Sequence, residues 1–389
     1  MVDVNGVPFL EHLVRQLVSQ GVTRIVLMTG YLGDQIRAYF EEGQRYGCEI
    51  VYSHGDENWL TGRRLLEARS LLDPRFILLY ADNFALVDLR RLLEAHLREN
   101  PTITLTLAPK ESGNVALGGH SRVSRYDPDR RAEGLDCVEI GYMVADRDLV
   151  LDVLWKLDGS PDVDFSDAIQ QLVVAREVVG VPIVGGYHSI SDPQRLESAR
   201  EYLRPKKLLL IDRDGVINER PNRGEYVDYW EKFRFVEETV LALEELAKRD
   251  FRFVVITNQA GVALGRVEQQ ELNRIHRKMC QGLASRGVEV TAVYVSPHHW
   301  DEGSFMRKPE PGMFLQASSD LHFRLDRVLY VGDDLRDCQA AANAGCGMVF
   351  LGELEAGETM PDTRHFQKSF RNFPEAVPFI LHFYDGASP

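Results

Sequence analysis

The run Leu208-Leu-Leu-Ile211 narrows the fold more than any other stretch of the chain. Four apolar residues in succession, with no polar alternation, predict a strand buried on both faces, as in a parallel sheet covered by helices. Asp212 and Asp214 follow at once, with Gly215 behind them. Carboxylates two residues apart on an extended chain point the same way. Both can therefore meet one ligand at the C-terminal tip of the strand, where open α/β sheets bind. Asp and Gly also stand together in ordinary turns, so the meaning of this tetrapeptide depends on what the other strand tips carry.

Further strands are predicted over 251–256, 288–295 and 328–331, each preceded or followed by a helical stripe. The stripes are Val236, Val240, Leu243 and Ala247, then Leu272, Ile275, Met279 and Leu283, then a helix through Phe314 and Leu315. Polar residues gather where the strands end: Thr257-Asn258, Lys308 on a Pro-flanked loop, and Asp333-Asp334. Repeated strand, polar tip and helix predict a doubly wound α/β domain, closed by one more helix over 374–383. The first half alternates in the same way, with a helix through Phe9, Leu13 and Leu17 and strands over 24–28, 49–52, 76–80 and 102–107. That pattern predicts a second, mostly parallel α/β domain. A Pro-containing basic stretch, 203–207, sets the expected boundary, giving domains 1–204 and 205–389.

Lys plus Arg number 45 against 59 Asp plus Glu, a net charge of −14, which argues against a nucleic-acid surface. No apolar run reaches bilayer-spanning length and the first residues lack a signal-peptide pattern, so a cytoplasmic protein without membrane partners is expected. The five cysteines are scattered without a Cys-x-x-Cys pair, which fits reduced thiols. Homo-oligomerisation is left open.

Asp212-Arg-Asp-Gly-Val-Ile-Asn218, Thr257-Asn-Gln-Ala-Gly-Val262, Pro297-His-His299, Arg307-Lys-Pro-Glu-Pro-Gly-Met313 and Gly332-Asp-Asp334 together resemble the haloacid-dehalogenase superfamily. Within it they look like the D-glycero-D-manno-heptose 1,7-bisphosphate and histidinol-phosphate phosphatases. The resemblance implies Asp212 as nucleophile forming an aspartyl-phosphate, and Asp214 as acid and then base. It implies Mg²⁺ held by Asp212, the main-chain carbonyl of Asp214 and Asp333. Thr257 and Lys308 would stabilise the transferring phosphoryl group, and Arg213, Gly215, Asn258 and Arg307 would contact substrate. Asp334 would be an accessory, and Asp337 would either orient Lys308 or face solvent. Relatives carry a zinc loop near Pro-His-His, but Ser296 stands at its first cysteine position, so no structural zinc is expected. Asp212 and Thr257 are 45 residues apart and Thr257 and Lys308 are 51 apart. Those intervals leave room for the assigned elements and not for a cap domain, so loops 219–235 and 296–307 would choose among sugar phosphates.

In the first half, Met1-Val-Asp-Val-Asn-Gly-Val-Pro-Phe-Leu-Glu-His12, Val26-Leu-Met-Thr-Gly-Tyr-Leu32, Leu79-Tyr-Ala-Asp-Asn83 and Glu139-Ile-Gly-Tyr142 resemble the sugar-1-phosphate nucleotidyltransferases. The Gly-rich phosphate loop of that family would lie upstream of Met1. Leu60-Thr-Gly-Arg-Arg64 replaces small residues with arginines, and Ser189 replaces a metal-binding aspartate. Asp82 would be a vestigial metal carboxylate in a domain that no longer transfers nucleotides. Together the resemblances imply a role in nucleotide-sugar or surface-polysaccharide synthesis. The competing readings are a bifunctional enzyme that makes an NDP-sugar and a non-catalytic sugar-nucleotide-binding subunit.

Overall fold

A computed structural model describes residues 1–157, 162–183, 185–222, 224–353 and 365–386. The chain divides into two compact units, Met1–Arg200 and Glu201–Pro389, with the division inside the helix Pro193–Leu203. Both are α/β. Among the described residues no helix is long and apolar enough to cross a membrane.

The first unit is built on a mixed sheet. Its long strand Cys137–Asp146 runs antiparallel to Arg75–Leu79 and to Ile103–Pro109, and among the described residues only Val178–Pro182 joins this sheet in parallel, beside Ile103–Pro109. Arg24–Thr29 and Glu49–His54 form a separate parallel pair. The expectation of a mostly parallel sheet is corrected here. A strand buried on both faces reads as the same apolar run whichever way its neighbour points, so direction was not written in the residues.

The second unit carries a six-stranded sheet in the order Val290–Ser296, Arg252–Asn258, Leu208–Ile211, Leu329–Gly332, Gly347–Leu351, Phe366–Phe370. Every pairing in it is parallel. Leu208–Ile211 lies at the middle, Ile211 in register with Val255 on one side and Val331 on the other. Leu209 and Ile211 pack into a core with Leu243, Leu246, Ile275, Met279 and Ile380. Full burial of such side chains contributes about 1.5–3 kcal/mol each. Asp212, Thr257 and Asp333 follow or end three neighbouring strands, so the tips share one edge of the sheet. The last two strands escape the sequence pattern. Phe366–Phe370 is an edge strand whose Gln367, Lys368 and Ser369 face water, and an edge strand needs no continuous apolar run.

Between Asp212 and Thr257 the described residues form a loop, the short turn Trp230–Lys232 and the helix Glu237–Ala247. Between Thr257 and Lys308 they form Gln269–Ala284, Val290–Ser296 and the turn Trp300–Glu302. No cap domain intervenes among them.

Candidate active site

Lys308 organises the strand tips. Its Nζ lies 2.9 Å from Asp212 Oδ1 and 2.8 Å from Asp337 Oδ1, with the side chain almost wholly buried. Asn258 brings it there: its Oδ1 accepts from Lys308 N at 3.0 Å and its Nδ2 donates to Lys308 O at 3.0 Å. Both amide atoms thus hold the loop backbone that carries Lys308. Asp337 is 1% exposed, so it does not face solvent. Its Oδ1 meets Lys308, and its Oδ2 accepts from the amides of Asp333 and Asp334 at 3.2 and 3.1 Å.

Among the described residues, Asp212, Asp333 and Asp337 are the group whose ligand atoms lie within 4.8 Å of one another. Burial pushes the Asp212 carboxyl well above the usual range; Asp337 and Asp333 add to the rise and Lys308 opposes it. Burial likewise pushes Asp333 up to about 6, against the pull of Arg220. Arg220 Nη2 sits 2.8 Å from Asp333 Oδ2, while Asp333 Oδ1 is buried with no partner. Gly215 makes room for this carboxylate: its φ is +87°, and a Cβ there would fall 1.7 Å from Asp333 Oδ2. The Gly215 amide already donates to Asn218 O at 2.7 Å. The residue therefore supplies space for Asp333.

Asp214 turns to a different set of partners. It accepts from Arg213, from Asn218 Nδ2 at 2.9 Å and from Gln259 Nε2 at 2.8 Å. Against the upward push of burial, these donors hold its carboxyl below the ordinary value. Arg213 is 0% exposed, bonded to both Asp214 oxygens and to His276 Nε2 at 2.9 Å. The expected substrate contact of Arg213 is corrected accordingly: the guanidinium is walled inside the unit. Burial and that same guanidinium push His276 down to about 3, so it accepts as a neutral ring. Thr257 is buried, its Oγ1 accepting from Gln259 Nε2 at 2.9 Å, which leaves the hydroxyl proton free to point elsewhere. Asp334 caps the helix Leu335–Ala344 through Arg336 N at 2.9 Å and pairs with the Arg336 guanidinium. Its carboxylate lies outside the three-carboxylate group. Arg307 is half-buried and donates to His298 O at 2.9 Å.

A family model described as polynucleotide kinase 3 phosphatase matches residues 207–376. A D-glycero-beta-D-manno-heptose-1,7-bisphosphate 7-phosphatase from Bordetella bronchiseptica is 39% identical over 140 residues, 36% of this chain and 77% of that protein. The chain belongs to this phosphatase family. The crystal structure of the D,D-heptose 1.7-bisphosphate phosphatase from B. bronchiseptica, complexed with magnesium and phosphate, is 32% identical; the match covers 45% of this chain and 98% of that one, with a TM-score of 0.42. A UDP-glucose pyrophosphorylase complexed with UDP-glucose matches at 12% identity over 51% of this chain and 88% of its own, with a TM-score of 0.44.

Three residues of the phosphatase site escaped the sequence reading. Gln259 lies two residues beyond Thr257, and its position in the Thr-Asn-Gln run was the available signal. His276 follows Ile275 on an apolar stripe, where a buried histidine reads as core. Arg220 lies in a polar loop with no pattern to single it out.

In the first unit Asp82 is exposed at a strand end. Ser189, opposite Asn83 on the neighbouring strand, accepts from Arg195 Nη1 at 3.0 Å. Arg64 donates to the carbonyls of Thr29, Asp56 and Glu57 at 2.9–3.1 Å, and a Cβ on Gly30 would fall 2.6 Å from its Nη2. Arginines therefore stand against both segments where the family resemblance called for small residues or a carboxylate.

Proposed function

We propose that this phosphatase hydrolyses a sugar bisphosphate of the heptose 1,7-bisphosphate type, with Mg²⁺, through attack of Asp212 on phosphorus. The observation that carries the reading is Lys308 clamped between Asp212 and Asp337, with Asp333 close by. The donor set fits Mg²⁺: it is all oxygen, and Asp333 Oδ1 is buried and unpaired. Asp212, Asp333 and the main-chain carbonyl of Asp214 would hold the ion, which when bound supplies positive charge against the phosphate and the carboxylates.

Asp212 forms the bond to phosphorus, splitting one slow displacement into two steps. A carboxylate approaching a phosphate is repelled by about 4 kcal/mol per charge pair at ~4 Å and an effective dielectric of ~20. Lys308 offsets part of that charge, and Thr257 can donate its hydroxyl proton to a phosphoryl oxygen. Asp214, held as a carboxylate, is ready as the base that takes a proton from the water that hydrolyses the aspartyl-phosphate. To protonate the departing alcohol first, it must leave Arg213, Asn218 and Gln259, which restores its affinity for a proton. Arg307 donates to the His298 carbonyl and, among the described residues, pairs with no carboxylate, which suits it to a second phosphate. The nucleotidyltransferase resemblance of the first unit supports a place among enzymes of nucleotide-sugar synthesis.

The test is phosphate release from sugar mono- and bisphosphates, with and without Mg²⁺, beside Asp212→Asn and a 3′-phosphorylated DNA control. A bisphosphate should be the best substrate, DNA should be inert, and Asp212→Asn should lose activity by about a thousandfold or more. A fully active Asp212→Asn protein rejects the nucleophile.

A further inference from the structure

Tyr330 lies on the strand Leu329–Gly332, inside an apolar run that reads as ordinary core, yet its hydroxyl reaches the site. The side chain is 0% exposed, and its ring packs edge-on against Phe314 with centroids 4.9 Å apart. Oη is 2.8 Å from Lys308 Nζ, 3.0 Å from Asp337 Oδ1 and 3.4 Å from Ile256 O. The ammonium has three protons and four acceptors around it: Asp212, Asp337, Tyr330 Oη and Ile256 O at 3.1 Å. Tyr330 therefore accepts from Lys308 and passes its own proton to Asp337 or Ile256.

Lysine reaches its site on a flexible four-carbon stem, and nothing on the stem itself decides where the head rests. A tyrosine has two side-chain torsions, both fixed here by the packed ring, so Oη is a rigid point. A phenylalanine would fill the same space but remove this fixed acceptor, leaving the ammonium to be placed by Asp212, Asp337 and the Ile256 carbonyl alone.

We propose that Tyr330 is a positioning residue for the phosphatase reaction: its hydroxyl holds the Lys308 ammonium in line with Asp212, so that the charge is in place before the phosphoryl group arrives. This rests on the phosphatase reading above. Tyr330 touches Lys308 and Asp337, and it acts on the phosphoryl group only through the lysine. Prepositioned charge is effective because it needs no reorganisation during the reaction, and a misplacement of about 1 Å costs roughly a hundredfold in rate.

The experiment is steady-state phosphate release from the full chain, the parent first. A parent that releases no phosphate from any sugar phosphate rejects the phosphatase reading before a variant is made. Given an active parent, Tyr330→Phe should lower kcat about tenfold or more while KM moves by less than about threefold, at a temperature well below the unfolding midpoint of the variant. Tyr330→Met, which also lacks the hydroxyl but keeps apolar bulk, should show the same loss. In the Asp337→Asn background, Tyr330→Phe should cost less than it does alone, because the two residues hold the same ammonium. An unchanged kcat in either single variant, a loss confined to KM, or full additivity with Asp337→Asn overturns the proposal and leaves Tyr330 as core.

Discussion

Asp333 has one oxygen on Arg220 and the other unpaired in a buried site, and its carboxyl is pushed up from 3.8 to about 6. A carboxylic acid with a raised folded-state pKa binds its proton more tightly folded than unfolded. Its contribution to stability is then full below the unfolded value and is lost as pH rises through the folded one. The metal-free protein should accordingly lose stability between pH 3.8 and about 6 on account of this group. A divalent cation reverses the balance by favouring the carboxylate, so Mg²⁺ binding at pH 6 should release protons and weaken as the pH falls. Titration calorimetry in two buffers of different ionisation enthalpy reads the proton directly; an identical heat in both rejects Asp333 as a ligand. Asp212 and Asp333 were legible because each follows a strand that the apolar pattern locates, whereas Lys308, on a loop well past the strand Val290–Ser296, was legible only through the family resemblance. Arg213 and Asn258 were legible as members of the site but not in their direction. One turns into the core and the other clasps the backbone of Lys308, and side-chain direction at a strand tip depends on partners brought from distant segments. Tyr330 was hidden, since a tyrosine in a buried run shows nothing of where its hydroxyl ends.

The helix Leu335–Ala344 delivers Asp337 to the site, and its start is set by Asp334. That side chain accepts from Arg336 N, and Asp337 completes a reciprocal capping box, while Gly345 at φ +76° ends the helix. Replacing Asp334 by Ala strips an amide of its acceptor and should cost about 1 kcal/mol. Asp334→Asn keeps the cap and loses only the charge toward the half-exposed Arg336 and, at 3.8 Å, Arg220, pairs worth about 0–1 kcal/mol each. Urea unfolding should therefore rank the parent, then Asn, then Ala. Equal losses for Asn and Ala would mean that the ion pair with Arg336, and not the cap, sets the stability. The strand before this element, Leu329–Gly332, was readable because it is a continuous apolar run, whereas the buried strand after it, Gly347–Leu351, was not read although it is one too. The edge strand Phe366–Phe370 was not, because three of its five residues face water.

Across the whole chain the two α/β units differ in the chemistry they carry. The second gathers three carboxylates and a lysine at its strand tips; the first places Asp82 on the surface, with Ser189 and Arg195 in the neighbouring segment. Two-carboxylate sites hold a divalent ion because negative charge is concentrated on one point. A serine bonded to a guanidinium supplies the opposite charge, and among the described residues the first unit has no group of three ligands. Nucleotidyl transfer needs that ion against the triphosphate, so the full chain, given sugar 1-phosphates, nucleoside triphosphates and Mg²⁺, should release no pyrophosphate. Asp82→Ala should leave phosphate release from the preferred sugar bisphosphate unchanged. Pyrophosphate release that disappears in Asp82→Ala would show instead that Asp82 binds metal without a second carboxylate and that the first unit is an active transferase.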